Sequence, residues 1–226
     1  MIFELLLMMA FIHPAGTSSA PAARCALKDS IGHCVYFKFE QPAALVPAYT
    51  INVREDGLLH YWAGDLPEGK QESSLPSLSA SPATLKKVFD AVPFISTTGC
   101  ETHGKNIANT GKKVLLAYKG DEVSECAFNY SDEEKVNAAA SAFQAIAETI
   151  QAGDRLKHKL RFDHLGLDAE LDSLMFAVKN GFAIELQNIG PILQTIADDD
   201  EMMSPARRKA KSLIEMVGVQ AASSAR

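Results

Sequence analysis

The stretch YTINVREDGLLHYW, residues 49–62, decides the fold class of this chain. β-branched and aromatic residues, which favour extended backbone, dominate its two ends. Asp56-Gly57 between them is typical of a tight hairpin turn, because both residue types tolerate positive φ. A similar run, CVYFKFE at 34–40, precedes this stretch. We therefore predict three successive strands joined as an antiparallel meander.

Two further strand-like runs follow, at 114–118 and 123–130, and the short polar link between them predicts a second hairpin. The intervening residues 64–81 are rich in Gly, Pro and Ser, which favours a loop with room for one edge strand. The sequence thus predicts an antiparallel sheet of four or five strands built from two hairpins.

Two helices are predicted to back this sheet. Ser81-Pro82 combines an N-cap residue with a proline in the first turn, and the apolar spacing that follows ends at Pro93. Ser131-Asp-Glu-Glu134 has the spacing of a capping box, and an apolar stripe runs behind it to Ile150. Sheet and helices together indicate an α+β domain.

After Gly153 the strand-like runs give way to helical ones. Asp168 is a candidate N-cap for a helix through Asn180, Gly190-Pro191 interrupts the next apolar run, and Ser204-Pro205 opens a last helix that ends at Val217. The predicted divisions are a signal peptide at 1–23, the α+β domain at 24–152, a small all-α extension at 153–218 and a disordered tail at 219–226.

The composition excludes some partners. The 226 residues carry a formal net charge of -6, so the chain offers no general positive field for nucleic acid, and none is expected as a partner. The first twelve residues are mainly apolar and precede Ala20-Pro-Ala22, a pattern typical of a secretory leader. This segment is too short to span a bilayer, so we expect export, to the periplasm or outside the cell, without a permanent membrane span. Glu4, where a leader normally has a basic residue, leaves open an intracellular protein with a true N-terminal helix.

Four cysteines follow the predicted leader. An even number of cysteines in an exported chain favours disulfides, and four of them allow three pairings. The most local pairing joins Cys25 to Cys34 and Cys100 to Cys126.

Two parts of the chain resemble known protein classes. Residues 33–151, read as hairpin, helix, hairpin and long helix, resemble small exported bacterial α+β domains of unknown function, a resemblance that brings no catalytic motif. The stretches NIGPIL (188–193), IADDD (196–200) and ARRKA (206–210) are similar to one HEAT repeat. That resemblance implies a pair of stacked helices that binds protein.

Three clusters could carry chemistry. Cys100-Glu-Thr-His103 could hold a metal or a reactive thiol, but a disulfide explains its cysteine better. Asp163-His164 could orient a general base, although adjacent helical residues do not face each other. The alternating basic residues of 155–161 would form a cationic ladder in a strand and a surface face in a helix, and their residue types favour the helix.

We therefore expect an exported binding or protein-interaction module, whose helical extension offers the partner surface, with no cofactor, no metal and no evident catalytic site. The alternative is a small exported hydrolase that combines the loop 94–111 with Asp163 and His164.

Overall fold

The computed structural model describes residues 33–64, 75–96, 100–104, 107–119 and 122–224, with side chains as far as residue 217. Its centre is one antiparallel sheet in the order β4-β3-β2-β1-β5-β6. The strands are β1 (Cys34–Glu40), β2 (Ala48–Arg54), β3 (Leu58–Ala63), β4 (Leu78–Ser79), β5 (Lys112–Lys119) and β6 (Glu122–Phe128). The predicted α+β class is confirmed. The predicted leader at 1–23 lies outside the described residues.

The sheet has six strands, where the sequence predicted four or five. Five of them are the predicted strand runs, and the sixth is β4, two residues long, within the polar stretch 64–81. Leu78 and Ser79 of β4 pair with the start of β3. A strand of two residues is too short to show an alternating pattern, so the sequence could allow for it but could not locate it.

Both faces of the central strands are apolar. Side-chain alternation places Phe37 of β1 on one face and Tyr36 on the other. Phe37 is fully buried and stacks on Phe143, with ring centroids 5.0 Å apart. The opposite face has its own buried cluster of Tyr36, Trp62, Leu116 and Tyr118. This double burial explains why the strand runs are almost continuously hydrophobic.

Helices α1 (Pro82–Phe89) and α2 (Glu134–Phe162) contribute to the core on the first face. Ser81 caps α1 as predicted, because its Oγ accepts a hydrogen bond from the Thr84 amide. The start of α2 differs from the predicted capping box. Glu133 is its N-cap and accepts from the Lys135 amide, while Ser131 Oγ accepts from the Glu133 amide two residues earlier.

The domain boundary predicted between residues 152 and 153 falls inside α2, a single helix of 29 residues. The first part of α2, from Val136 to Ala147, contributes to the sheet core, and Ala152 and Leu156 belong to a second core in the extension. Gly153 marks a close approach and not a break, since a Cβ atom there would lie 2.5 Å from Ile189 Cγ2. The two cores separate near the predicted position, but helix α2 continues through it without a break.

The extension contains α3 (His164–Lys179), a 3-10 helix (Leu186–Ile189), α4 (Gly190–Asp198) and α5 (Ser204–Ser224). The N-cap of α3 is Asp163 and not the predicted Asp168, so the helix begins earlier than expected. Residues 155–161 are helical, as the sequence favoured. Helix α5 continues past Gly218 to Ser224, although the sequence predicted a disordered tail at 219–226.

A disulfide joins Cys100 to Cys126, whose Cα atoms are 5.7 Å apart. This bond belongs to the most local predicted pairing, and it ties the segment between α1 and β5 to strand β6. Cys34 is also disulfide-bonded. Its predicted partner, Cys25, lies outside the described residues. None of the helices within the described ranges has the length and apolar character needed to cross a bilayer.

Candidate interaction surface

The helical extension leaves large apolar side chains in contact with solvent. Four of them lie on α3 or directly beside its ends, and each is more than 60% exposed: Phe162, Leu165, Phe176 and Phe182. We call these four residues the α3 surface. Isolated apolar residues on a protein surface need no explanation, but a group on one element suggests a contact site.

The spacing along α3 places two members of this surface on one side of the helix. Leu165 and Phe176 are eleven residues apart, which is close to three turns and about 16 Å along the axis. The opposite side of α3 is buried through Leu167, Leu171 and Leu174. Helix α3 therefore presents two large apolar side chains on its solvent side, on either side of Asp172, which pairs with Lys209. A helix at the surface of a folded protein normally keeps its large apolar residues on one side.

Phe162 lies at the corner between α2 and α3, where two basic or titratable side chains surround its ring. The guanidinium carbon of Arg161 is 5.0 Å from the ring centroid, and the His158 ring is also 5.0 Å away. Cations in this position are attracted to the electron-rich face of an aromatic ring. The corner thus presents an apolar ring beside positive charge.

The basic residues of 155–161 are not equally available. Arg155 is bonded to Glu148 at 2.6 Å and to Glu170 at 2.7 Å, so its charge is used within the fold. The two lysines of this stretch make surface ion pairs within a turn of their own helix. Arg161 has no carboxylate partner among the described residues. Within the described ranges, Arg161 therefore remains without an ion pair at the Phe162 corner.

Asp163 and His164 bond to separate groups of the structure. Asp163 Oδ1 accepts a hydrogen bond from the Gly166 amide at 2.9 Å, and its Oδ2 lies 3.3 Å from Lys159 Nζ. These two bonds lower the pKa of the Asp163 carboxyl. His164 donates from Nε2 to the carbonyl oxygen of Leu160 at 2.6 Å. Each side chain thus completes the junction between α2 and α3.

The residues of the hydrolase alternative lie at opposite ends of α2. The Thr102 amide donates to the Tyr130 carbonyl, and Thr102 Oγ1 accepts from the Asp132 amide, which holds this part of the loop 94–111 beside the start of α2. Asp163 caps the other end of the helix. With a rise of about 1.5 Å per residue, 29 helical residues separate the two by about 43 Å. The described parts of the loop therefore cannot share a site with Asp163 and His164.

Cys100 and His103 lie in the segment between α1 and β5. Cys100 is used in the disulfide with Cys126, and His103 is exposed. Within the described ranges, no group of three or more His, Cys, Asp or Glu side chains could hold a metal ion.

An open cleft of about 620 Å³ lies where β1 and β6 end and β5 begins. Its walls carry Glu40, Glu101 and Lys112 together with three side-chain amides. Glu40 is bonded to Lys38 at 2.6 Å, and this bond, with the nearby charge of Lys112, lowers the pKa of its carboxyl. Sequence reasoning missed this cleft, because its residues come from four separate segments.

Sequence reasoning also missed a junction between the extension and the α+β domain, which we call the sheet domain. The buried Glu185 carboxylate accepts hydrogen bonds from the Ser81 amide at 3.0 Å and from Ser81 Oγ at 2.7 Å. Its backbone has φ = 61°, a left-handed conformation uncommon for a residue other than glycine. Glu185 thereby helps Ser81 hold the start of α1 against the extension. No local pattern distinguishes it from an ordinary surface glutamate.

No known protein family matches this chain, and no curated protein matches it significantly. The two resemblances drawn from the sequence therefore stay predictions.

Proposed function

We propose that this chain is an exported protein-interaction module, in which the α+β domain is a rigid scaffold and a partner protein covers the α3 surface. One observation carries the proposal: α3 buries one apolar side in the core of the extension and presents Leu165 and Phe176 to solvent on another. Covering both residues would remove apolar area from water at about 25 cal/mol per Å².

The partner's chemistry follows from the surroundings of this surface. Arg161 stacks on Phe162 without a carboxylate partner among the described residues, so a complementary partner would present apolar side chains bordered by Asp or Glu. The similarity of the C-terminal stretch to a HEAT repeat supports a protein partner, because paired helices of that kind bind protein.

Export is the second part of the proposal. The Cys100–Cys126 disulfide supports an oxidising compartment, as does the leader-like N-terminal sequence. Mass spectrometry of the mature protein under non-reducing conditions tests it. We expect a new N-terminus near residue 24 and no free thiol. An intact N-terminus with four free thiols would contradict export.

Site-specific photo-crosslinking tests the interaction surface. A photoreactive amino acid replaces Leu165 or Phe176 in the full chain, and the matched control replaces Leu45, which is 80% exposed in the sheet domain against 82% for Leu165. We expect positions 165 and 176 to give the same dominant protein adduct in the native compartment, and position 45 to lack it. Adducts that are the same at all three positions, or absent at 165 and 176, would refute the proposal.

A further inference from the structure

The two edge strands of the sheet differ in length and in what covers them. Strand β4, at one edge, is only two residues long, and Asn188 covers it: its Oδ1 accepts from the Ser79 amide at 2.8 Å and its Nδ2 donates to the Ser79 carbonyl at 2.9 Å. Strand β6, at the other edge, has seven residues, and no described strand pairs with its outer side. An edge of this length is a template for another strand.

The side chains of β6 are open to solvent over most of its length. Residues 122–125 are all exposed, and Val123 retains 49% of its accessible surface. In an antiparallel pair, alternate residues direct their backbone N–H and C=O groups away from the neighbouring strand. The outer side of β6 therefore offers both hydrogen-bonding groups and an apolar contact.

Carboxylates outnumber cations along this edge. Glu122 and Glu125 lie on β6 and Glu101 lies beyond its C-terminal end, and none of the three forms an ion pair among the described residues. Lys119 of β5 is the register partner of Glu122, and Lys112 lines the cleft, so Glu125 is the carboxylate of β6 that lies farthest from a cation along the strand pair. The charge of Glu40, by contrast, is already balanced by Lys38.

The open cleft continues the edge. Ala127 and Phe128 at the end of β6 form part of its wall, and Glu101 forms another part. The cleft and strand β6 therefore share Ala127 and Phe128.

We infer that the outer edge of β6 and the adjoining cleft form one binding track for an extended, basic segment of a partner protein. The segment adds a strand to the sheet, with Lys or Arg opposite Glu125 and small or β-branched residues opposite Val123 and Ala127. The cleft receives a further basic side chain beside Glu101. This inference is independent of the α3 surface.

A second copy of the chain fits this edge poorly in the register centred on Glu125. Antiparallel pairing of two β6 strands about Glu125 places the two Glu125 carboxylates directly opposite each other, and like charges in that position are destabilising. Basic residues opposite the same positions form favourable cross-strand pairs. At Glu125 the charge therefore favours a basic partner residue over a second copy in this register.

The test uses three nine-residue peptides with blocked ends. In the first, Thr alternates with Lys or Val. The second has Glu in place of Lys, and the third has Pro at two central Thr positions. Each is titrated into the full chain labelled with ¹⁵N, and the amide signals of residues 122–128 are followed. We expect saturable shifts and slowed amide exchange in β6 with the Lys peptide only.

Two variants with the same charge change complete the test. Glu125→Lys should weaken binding of the Lys peptide by about tenfold, because a favourable cross-strand pair becomes a repulsive one. Glu215→Lys, at an exposed position on α5, should leave the affinity unchanged. Equal affinities for the two variants, equal binding of the Pro peptide, or β6-mediated dimers in place of peptide binding would each overturn the inference.

Discussion

The sheet domain and the helical extension share helix α2 but differ in the burial of their aromatic side chains. In the sheet domain, Phe37 and Phe143 stack in a fully buried core, a disulfide ties the neighbouring segment to β6, and α1 is held at its start by Glu185. In the extension, Phe162 and Phe176 remain largely in solvent although a complete apolar core lies beneath them. The sheet domain therefore uses these aromatic residues for its stability, whereas the extension leaves large apolar side chains exposed.

The largest expected effect compares two phenylalanines of the helices. Phe143→Ala should lower the free energy of unfolding by about 3–5 kcal/mol, because it leaves a cavity beneath Phe37. Phe176→Ala should change it by no more than about 0.5 kcal/mol, since that ring makes few contacts to lose. Urea denaturation measures both. Similar losses for the two variants would remove the distinction between the two regions.

The disulfide should stabilise the sheet domain by a comparable amount. Replacing both Cys100 and Cys126 by Ser releases a loop with a sequence separation of 26. The unfolded chain then gains conformational freedom, and we expect a loss of about 3 kcal/mol. Thermal and urea unfolding of the double variant are the measurements. Unchanged stability would mean that the bond does not constrain the sheet domain.

The junction between the two regions should depend on Glu185. Glu185→Ala removes two hydrogen bonds to Ser81 and should cost about 2 kcal/mol. We expect faster amide exchange at the start of α1 and in the extension, which would separate the unfolding of the two regions. Glu215→Ala, at an exposed position on α5, is the control and should be neutral. A single unperturbed transition in Glu185→Ala would show that the junction does not couple them.

A smaller effect should appear as a pH dependence of the free energy of unfolding, which arises from a histidine in the sheet. His60 is buried with its Nδ1 3.2 Å from Asn52 Oδ1, and burial lowers the pKa of its imidazole in the folded protein. The unfolded state, with a histidine pKa of about 6.5, then binds the proton more tightly, so stability falls as the pH drops below that value.

His60→Gln removes this contribution. The wild type should therefore lose more stability than the variant between about pH 7.5 and pH 5.5, as measured by urea denaturation at each pH. Parallel pH profiles for the two proteins would contradict the assignment of this dependence to His60.

Much of the sheet could be predicted, because β-branched and aromatic runs with a hairpin signal at Asp56-Gly57 are local properties. The helix boundaries were harder to predict from the sequence. Asp163 and Asp168 are both acceptable N-caps, and α2 has no glycine or proline at its end to choose between them. The continuity of α2 past residue 153 was inaccessible for a related reason: Gly153 is required by the approach of Ile189, which is distant in sequence.

The candidate surface could be predicted only in outline. The sequence indicated a helical extension with a partner surface, but it could not say which apolar residues would stay uncovered. Leu165 and Leu171 have the same side chain on one helix, and only the packing of the extension buries one and exposes the other. The bonds of Glu185 to Ser81 join residues 104 positions apart, so no local pattern could show them.

The most direct test of the account is the affinity of the cross-linked partner, once purified, for the wild type and for two matched leucine variants. We predict that Leu165→Ser weakens binding by at least about tenfold, as expected for the loss of a leucine buried at an interface, without loss of fold. Leu45→Ser should bind as the wild type does. Equal affinities for the two variants would contradict the claim that the extension carries the interaction surface.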